Sequence, residues 1–287
     1  MSRSVLTRST RLRLAAVAAV GVTALALSAC QTGDASPEGD GAASAYVTDG
    51  KFTIGTGEPA YFPYVIDDAP ETGEGFEAAV AYAVAEELGF AADDVVWVRS
   101  TFEAAIAPGV KDFDVNLQQF TISPERAQNV DFTSPYYSTP QAVVTIEGSS
   151  LADASSIADL SDALLGAQTG TTSLTTIETI IEPATAPLVF NTNDDAVLAL
   201  QNGQVDGIVV DLPTAFYMSG VQIDGGILVG QLPADAGISD EWGFVLTKDS
   251  ELTEEVSAAV DALREDGTLD AIAEEWLGAD AGAPVLG

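Results

Sequence analysis

From Lys51 onward the apolar positions of the chain alternate between two periods. Phe52–Thr56 is an apolar run of strand length, and Gly75–Leu88 predicts a helix. In that helix Phe76, Val80, Ala83, Val84 and Leu88 share one face, Glu86 and Glu87 lie off it, and Gly89 supplies the stop. Val95–Arg99 predicts a second strand, Phe102–Ala107 a short helix halted by Pro108-Gly109, and Phe113–Leu117 a third strand. Ser123-Pro124-Glu125 has the residue types of a helix start. Further on, Leu164–Ala167, Leu188–Phe190 and Gly207–Val210 predict short buried strands, with helical stretches after Gly170, Thr192 and Pro213. Leu252, Val256, Ala259, Val260 and Leu263 make one helical stripe that ends at Gly267. Thr268 is placed to cap a last helix carrying Leu269, Ile272 and Trp276. Strand–helix alternation of this length predicts an α/β fold with mostly parallel sheets and flanking helices. The two runs part near Ser138–Ala142, which predicts two lobes. In open α/β sheets ligands sit beyond the carboxyl ends of strands, so the residues just after each strand are the ones to examine for chemistry.

The first 50 residues break the pattern. Arg3, Arg8, Arg11 and Arg13 precede the apolar run Leu14–Leu27, and Leu27-Ser28-Ala29-Cys30 follows. A basic start, a short apolar core and small residues are the parts of a secretory signal. At about 14 residues the core falls short of the roughly 20 that span a bilayer. The Leu-Ser-Ala-Cys run is similar to a bacterial lipobox, and that resemblance implies cleavage before Cys30 and lipidation of Cys30, with palmitate among the acyl chains. The alternative is an uncleaved anchor with an incidental cysteine. Residues 30–50 are poor in large apolar side chains and predict a flexible tether, reaching about 20–25 Å. The expected location is outside the cytoplasm, on the membrane through the lipid alone.

Charge narrows the chemistry. Ten Lys and Arg stand against 44 Asp and Glu, a net charge of −34. Loss of residues 1–29 would remove four arginines and no acid, leaving six cations and a net −38. Such a surface excludes a nucleic-acid partner, which needs clustered cations. There is no His and one Cys, so His-based nucleophile systems, His metal sites, disulfides and thiolate zinc sites are excluded. No cofactor or metal is expected.

Three strand ends carry candidate chemistry. After Phe113–Leu117 comes a segment ending in Ser123-Pro124-Glu125-Arg126. A cation in the first turn of a helix is unfavourable unless an anion lies against it. Arg126 therefore awaits either a ligand anion or a structural partner such as Asp131. After Leu164–Ala167 comes Gln168-Thr169-Gly170-Thr171-Thr172-Ser173, which makes either a cradle for a small oxyanion or ordinary caps. After Gly207–Val210, Asp211 either caps the next helix or receives an ammonium group. Read together, the three suit a zwitterion, with Arg126 on its carboxylate and Asp211 on its ammonium.

Ile122–Tyr137, containing Ser123-Pro124-Glu125-Arg126, Val130-Asp131-Phe132 and Pro135-Tyr136-Tyr137, strongly resembles the signature of ABC-transporter solute-binding proteins of the polar amino-acid type. Gly55-Thr56, Gly75-Phe76, Gln168–Thr172, Val205–Asp211 and Asp266–Leu277 fit the same family in order. The resemblance implies a two-lobed periplasmic-binding-protein clamshell, with lobe 1 from 51–139 plus 237–287, lobe 2 from 140–236 and two crossing strands as hinge. It implies that Arg126 grips an α-carboxylate with donors from Thr121 and Thr172, and that Asp211 accepts the α-ammonium. Tyr61 and Phe102 fall where the family places aromatics around the ligand side chain, although each also suits a core or cleft wall. Glu58 falls where the family often has Asp. Gln118 and Gln119 replace smaller residues, and Glu77 replaces Asp, which marks Gln119 as a candidate pocket residue. The expected activity is capture of an amino acid or related small zwitterion by a monomer and its delivery to ABC permease subunits, not catalysis. An enzyme on this fold, such as a cyclic-acid dehydratase, would need an acid/base titrating near neutrality, for which Glu58 and Glu77 are the candidates. A sensor domain is the other alternative, disfavoured by the lack of a further helix or domain after Gly287.

Overall fold

The computed structural model describes residues 45–233, 239–278 and 283–287. The signal segment, Cys30 and most of the expected tether lie outside the described residues. The last part of the expected tether is not free. Tyr46 packs edge-on against Phe52 and Phe90, with ring centroids 6.2 and 5.1 Å apart, and the Val47 N–H donates to Asp114 Oδ1 at 2.6 Å. An aromatic ring at this position has apolar area to bury, which the small and acidic residues before it lack.

Lobe 1 is built on the sheet β2-β1-β3-β11-β4. Its strands are β1 (Phe52–Gly57), β2 (Val95–Ser100), β3 (Val115–Asn116), β4 (Val130–Phe132) and β11 (Val245–Thr247). β1 pairs in parallel with β2 and β3, and all six of its residues are buried, as its unbroken apolar run requires. Helices α1 (Phe76–Glu87), α6 (Thr253–Glu265) and α7 (Thr268–Leu277) pack Phe76, Val80, Val84, Val256, Val260 and Leu269 into one core with Phe52, Ile54, Trp242 and Phe244. The α6 stripe is buried as its spacing predicts, but the cap of α7 differs: Gly267, at φ 84°, holds the N-cap position, and Asp266 Oδ1 accepts the Thr268 N–H at 2.8 Å. A tight αα turn needs a left-handed residue, and glycine meets that need before threonine can. The short helix α2 (Phe102–Ile106) is capped by Thr101, whose hydroxyl accepts from the Ala104 N–H.

Lobe 2 is built on β10-β5-β8-β6-β7, with β9 also paired to β5. The ranges are β5 (Tyr137–Ile146), β6 (Leu165–Gln168), β7 (Leu188–Phe190), β8 (Gly207–Asp211), β9 (Gly226–Gln231) and β10 (Ser239–Trp242). β8, β6 and β7 run parallel, and β5 runs antiparallel to β8, β9 and β10. The strand period of two is visible in the core. Ala142, Val144, Ile208 and Val210 meet α4 (Asn193–Gln201) and α5 (Leu212–Tyr217) on one face, while Val143 and Val209 meet Leu160, Ile177 and Leu286 on the other. β7 is an edge strand rather than a buried one: Leu188 and Val189 are exposed and Phe190 alone packs inward. The terminal segment, expected with lobe 1, lies against lobe 2, since Leu286 and Ala283 join its clusters and Val285 bridges Gln231. β5 and β10 pair side by side in the lobe 2 sheet, with Trp242 opposite Tyr137 and Ser239 opposite Pro140, and Trp242 also bridges Thr121 of lobe 1. Among the described residues no helix is long and apolar enough to cross a membrane.

Candidate functional site

Arg126 sits in a single 3-10 turn, Arg126–Gln128, rather than in the longer helix that Ser123-Pro124-Glu125 predicts. Ser123 Oγ does accept the Arg126 N–H at 3.2 Å, but β4 begins at Val130 because it pairs with β11, and the ladder ends the turn. Arg126 is only 8% exposed. Its Nη1 donates to the Thr121 carbonyl at 2.8 Å and its Nη2 to the Gly170 carbonyl of lobe 2 at 2.9 Å, while the Phe102 ring centroid lies 5.4 Å from Cζ. The structural alternative for this residue fails. Asp131 accepts instead from Lys248 Nζ at 2.9 Å, the Ser250 N–H at 3.2 Å and the Thr253 hydroxyl at 3.1 Å. The ion pairs among the described residues use Lys51, Arg99, Lys248 and Arg264, so Arg126 is a buried cation bonded to carbonyls alone. Burial pulls its pKa down, and Asp240, Asp211 and Glu125 pull the other way. A guanidinium stays charged regardless, and its unused N–H groups suit a planar oxyanion.

Across the cleft, the turn after β6 leads into α3 (Thr172–Thr176). Thr171 acts as the cap: its hydroxyl donates to the Gln168 carbonyl and accepts from the Leu174 N–H, so it lines the cleft with its hydroxyl already engaged. The Thr172 hydroxyl is different, lying 3.3 Å from the Thr121 hydroxyl of lobe 1. Asp211 closes β8 and makes no side-chain cap bond to α5, which removes the capping alternative. It receives one side-chain bond, 2.6 Å from Gln141 Nε2, and opens onto the cleft. Its carboxyl pKa lies well above the ordinary range, first through burial and then through Asp240 nearby.

The lobe 1 wall is organised around Glu77, 2% exposed. Gly75 begins this segment at φ 107°, where a Cβ would collide with the Tyr64 backbone, so only glycine can aim the start of α1 inward here. Glu77 accepts from the Gln119 N–H at 2.7 Å, from the Gln119 side-chain amide and from the Tyr136 hydroxyl at 2.5 Å. Gln119 is held at φ 52° to make these contacts. Burial raises the Glu77 pKa to about 7 despite the three donors. Gln118 lines the floor and donates to Ser100 Oγ and Asn116 Oδ1.

Of the remaining candidates, Tyr61 and Phe102 both line the cleft. The Tyr61 hydroxyl donates to Asp194 of lobe 2 at 3.3 Å, and burial with that carboxylate pushes its pKa up to about 12. Phe102 packs tilted against Phe120 with centroids 4.8 Å apart, beneath Arg126. Glu58 is the one candidate outside the group: it is exposed and does not line the cleft, where Gly57, Pro59 and Ala60 stand instead. The cleft measures about 740 Å³ with its open mouth included. Contacts close it from both sides, including Tyr64 Oη to Thr214 Oγ1 at 2.7 Å and the Phe62 and Tyr217 rings at 4.9 Å.

Residues 52–279 match the bacterial extracellular solute-binding proteins, family 3. The chain belongs to this family. This solute-binding protein is 32% identical over 230 residues to the L-arginine-binding protein of Pseudomonas aeruginosa, covering 78% of this chain and 86% of that one. It is 29% identical over 284 residues to the glutamate-binding protein GluB of Corynebacterium efficiens, covering 94% and 92%. Among solved structures, an ancestral arginine-binding protein bound to glutamine superposes with a TM-score of 0.66 at 30% identity, covering 81% of this chain and all of that one. The cleft of the solute-binding protein is also backed and bridged by groups that sequence reasoning missed. Gln141 and Asp240 stand behind Asp211, and Tyr64, Thr214 and Asp194 bridge the lobes. Only strand pairing reveals the first two, since Gln141 lies opposite Asp211 in register.

Proposed function

We propose that this protein captures an α-amino acid in the cleft, Arg126 and the Thr121 and Thr172 hydroxyls taking the carboxylate and Asp211 the ammonium. One observation carries the reading: a buried guanidinium without a carboxylate partner and a carboxylate with a single hydrogen bond line one cleft from opposite lobes. Each has unused hydrogen-bonding capacity, and their charges complement a zwitterion. The relatives' ligands, L-arginine and glutamate, share these two α-groups and differ in the side chain. Closure is a hinge motion about β5 and β10, and ligand contacts to both lobes add to the direct contacts between them. The protein hands its ligand to an ABC permease and is tethered through lipidated Cys30.

A thermal-shift screen of the proteinogenic amino acids tests the binding reading. A binder at one hundred times its Kd adds about 2.7 kcal/mol of stability and so raises Tm. Silence across amino acids, with shifts for sugars instead, would sink it. Tethering is tested by Cys30→Ala, which should release the protein from membranes; a variant retained fully in the membrane fraction contradicts it. Glu77, with a pKa near 7 at the cleft wall, favours a second reading as an acid–base enzyme. Its three donors hold it against lobe 1, and mass spectrometry after incubation with a bound amino acid separates the readings: a binder returns it unchanged.

A further inference from the structure

The ammonium seat has a second carboxylate behind it. Gln141 on β5 lies directly opposite Asp211 on β8, and Asp240 on β10 lies opposite Thr139, two residues away on the same face of β5. The Gln141 amide nitrogen gives one hydrogen to Asp211 Oδ1 at 2.6 Å and the other to Asp240 Oδ2. Asp240 is fully buried, and its Oδ1 has no partner; Gln141 Oε1 has none either. Among the described residues no cation forms an ion pair with Asp240. The charged and titratable groups facing this pair come from lobe 1: Arg126, Glu77 and the Tyr64 and Tyr136 hydroxyls. A second carboxylate on the same amide nitrogen disfavours a charge on Asp211, so Asp211 retains its proton into the range where exposed acids have lost theirs. Asp211 is the member open to the cleft, and its pKa is raised by burial first and by Asp240 second.

Resting on the amino-acid reading above, we propose that Asp240 is a positioning residue for the ammonium, acting through Gln141, and that it makes ligand capture release a proton. When the ammonium enters, its N–H groups occupy Asp211, the proton on Asp211 leaves for solvent, and the ligand's positive charge replaces the proton's. Asp240 then adds attraction to the bound ammonium without touching it, at the expense of binding in acid.

The test is isothermal titration calorimetry from pH 5 to 8, in buffers of different ionisation enthalpy, on the full chain and on Asp240→Asn. The probe is the strongest binder among the proteinogenic L-amino acids other than histidine, whose side chain itself titrates there. In the wild type, affinity should fall on acidification, with up to one proton released per ligand. Asp240→Asn should weaken binding at pH 8 by roughly tenfold or more. It should also move the acid fall about one pH unit or more lower, because the like charge that holds the proton is gone. Wild-type binding that is independent of pH and releases no proton overturns the proposal, and so does a variant weakened by one factor at every pH. If the variant fails to fold, the wild-type proton count decides alone. Absence of binding by any amino acid overturns the functional reading itself, whereas binding without proton release overturns only this inference.

Discussion

Two carboxylates line the cleft from opposite lobes and are held in opposite ways. Glu77 is anchored by a backbone N–H, a side-chain amide and a tyrosine hydroxyl, all from lobe 1. Asp211 receives one amide hydrogen and has a second carboxylate at its back. A carboxylate with two or three donors has its lone pairs occupied and serves the wall it belongs to. One with a single donor, raised toward protonation by burial, is incomplete until a cation arrives. The same contrast separates the cations: Lys248 has Asp131, whereas buried Arg126 has carbonyls only. Hydrogen-bond saturation, rather than burial or charge, distinguishes scaffold from seat in this molecule.

Substitutions can break that distinction. The largest effect is expected from Arg126→Ala, which should cost about 2–5 kcal/mol of amino-acid binding, roughly 30- to 4,000-fold, with little change in apo Tm. Asp211→Asn should cost somewhat less, because the amide still accepts one hydrogen bond. Glu77→Gln should show the reverse profile. It places an amide N–H against donors and should lower apo stability by about 1–3 kcal/mol, a Tm loss of roughly 3–10 °C. An affinity loss equal to that of Asp211→Asn, with no Tm change, would erase the contrast.

The Glu77 effect also carries a pH signature. Its folded pKa of about 7 lies above the ordinary glutamate value, so the folded chain binds this proton more tightly than the unfolded one. This contribution to stability is fully present below the unfolded pKa and is lost as pH rises through 7. Wild type should therefore gain on Glu77→Gln between pH 8 and pH 5, by up to about 3 kcal/mol. A difference in Tm that stays constant over this range would argue against the burial of this group. The smallest effect belongs to Lys248→Ala, since an exposed pair contributes at most about 1 kcal/mol, and ligand affinity should not move.

Much of this was legible in the sequence because periodicity and strand ends are local. β1, α1, β8 and α6 lie within a residue or two of where their patterns place them, and Arg126, Thr172 and Asp211 meet in the cleft. The misses come from non-local causes. β4 and β11 are short strands whose existence depends on pairing, β11 lying between β3 and β4, and the β4–β11 ladder cut the expected Arg126 helix to one turn. Leu188 and Val189 look buried by composition, but their strand is at the sheet edge. The family resemblance places Glu58 at the cleft, yet the chain turns so that Gly57, Pro59 and Ala60 face it instead. Asp240 and Gln141 had no local signal at all, since their meaning depends on which strands lie beside β5.

The central claim, that Arg126 reads a carboxylate, is tested most directly by a cycle of two proteins and two ligands. Calorimetry would compare an amino acid that binds with its carboxamide, on wild type and on Arg126→Ala. A direct guanidinium–carboxylate contact predicts that the amide binds wild type poorly and that the substitution weakens the acid far more than the amide. Equal losses for acid and amide would contradict the account, because Arg126 would then shape the cleft without touching the carboxylate.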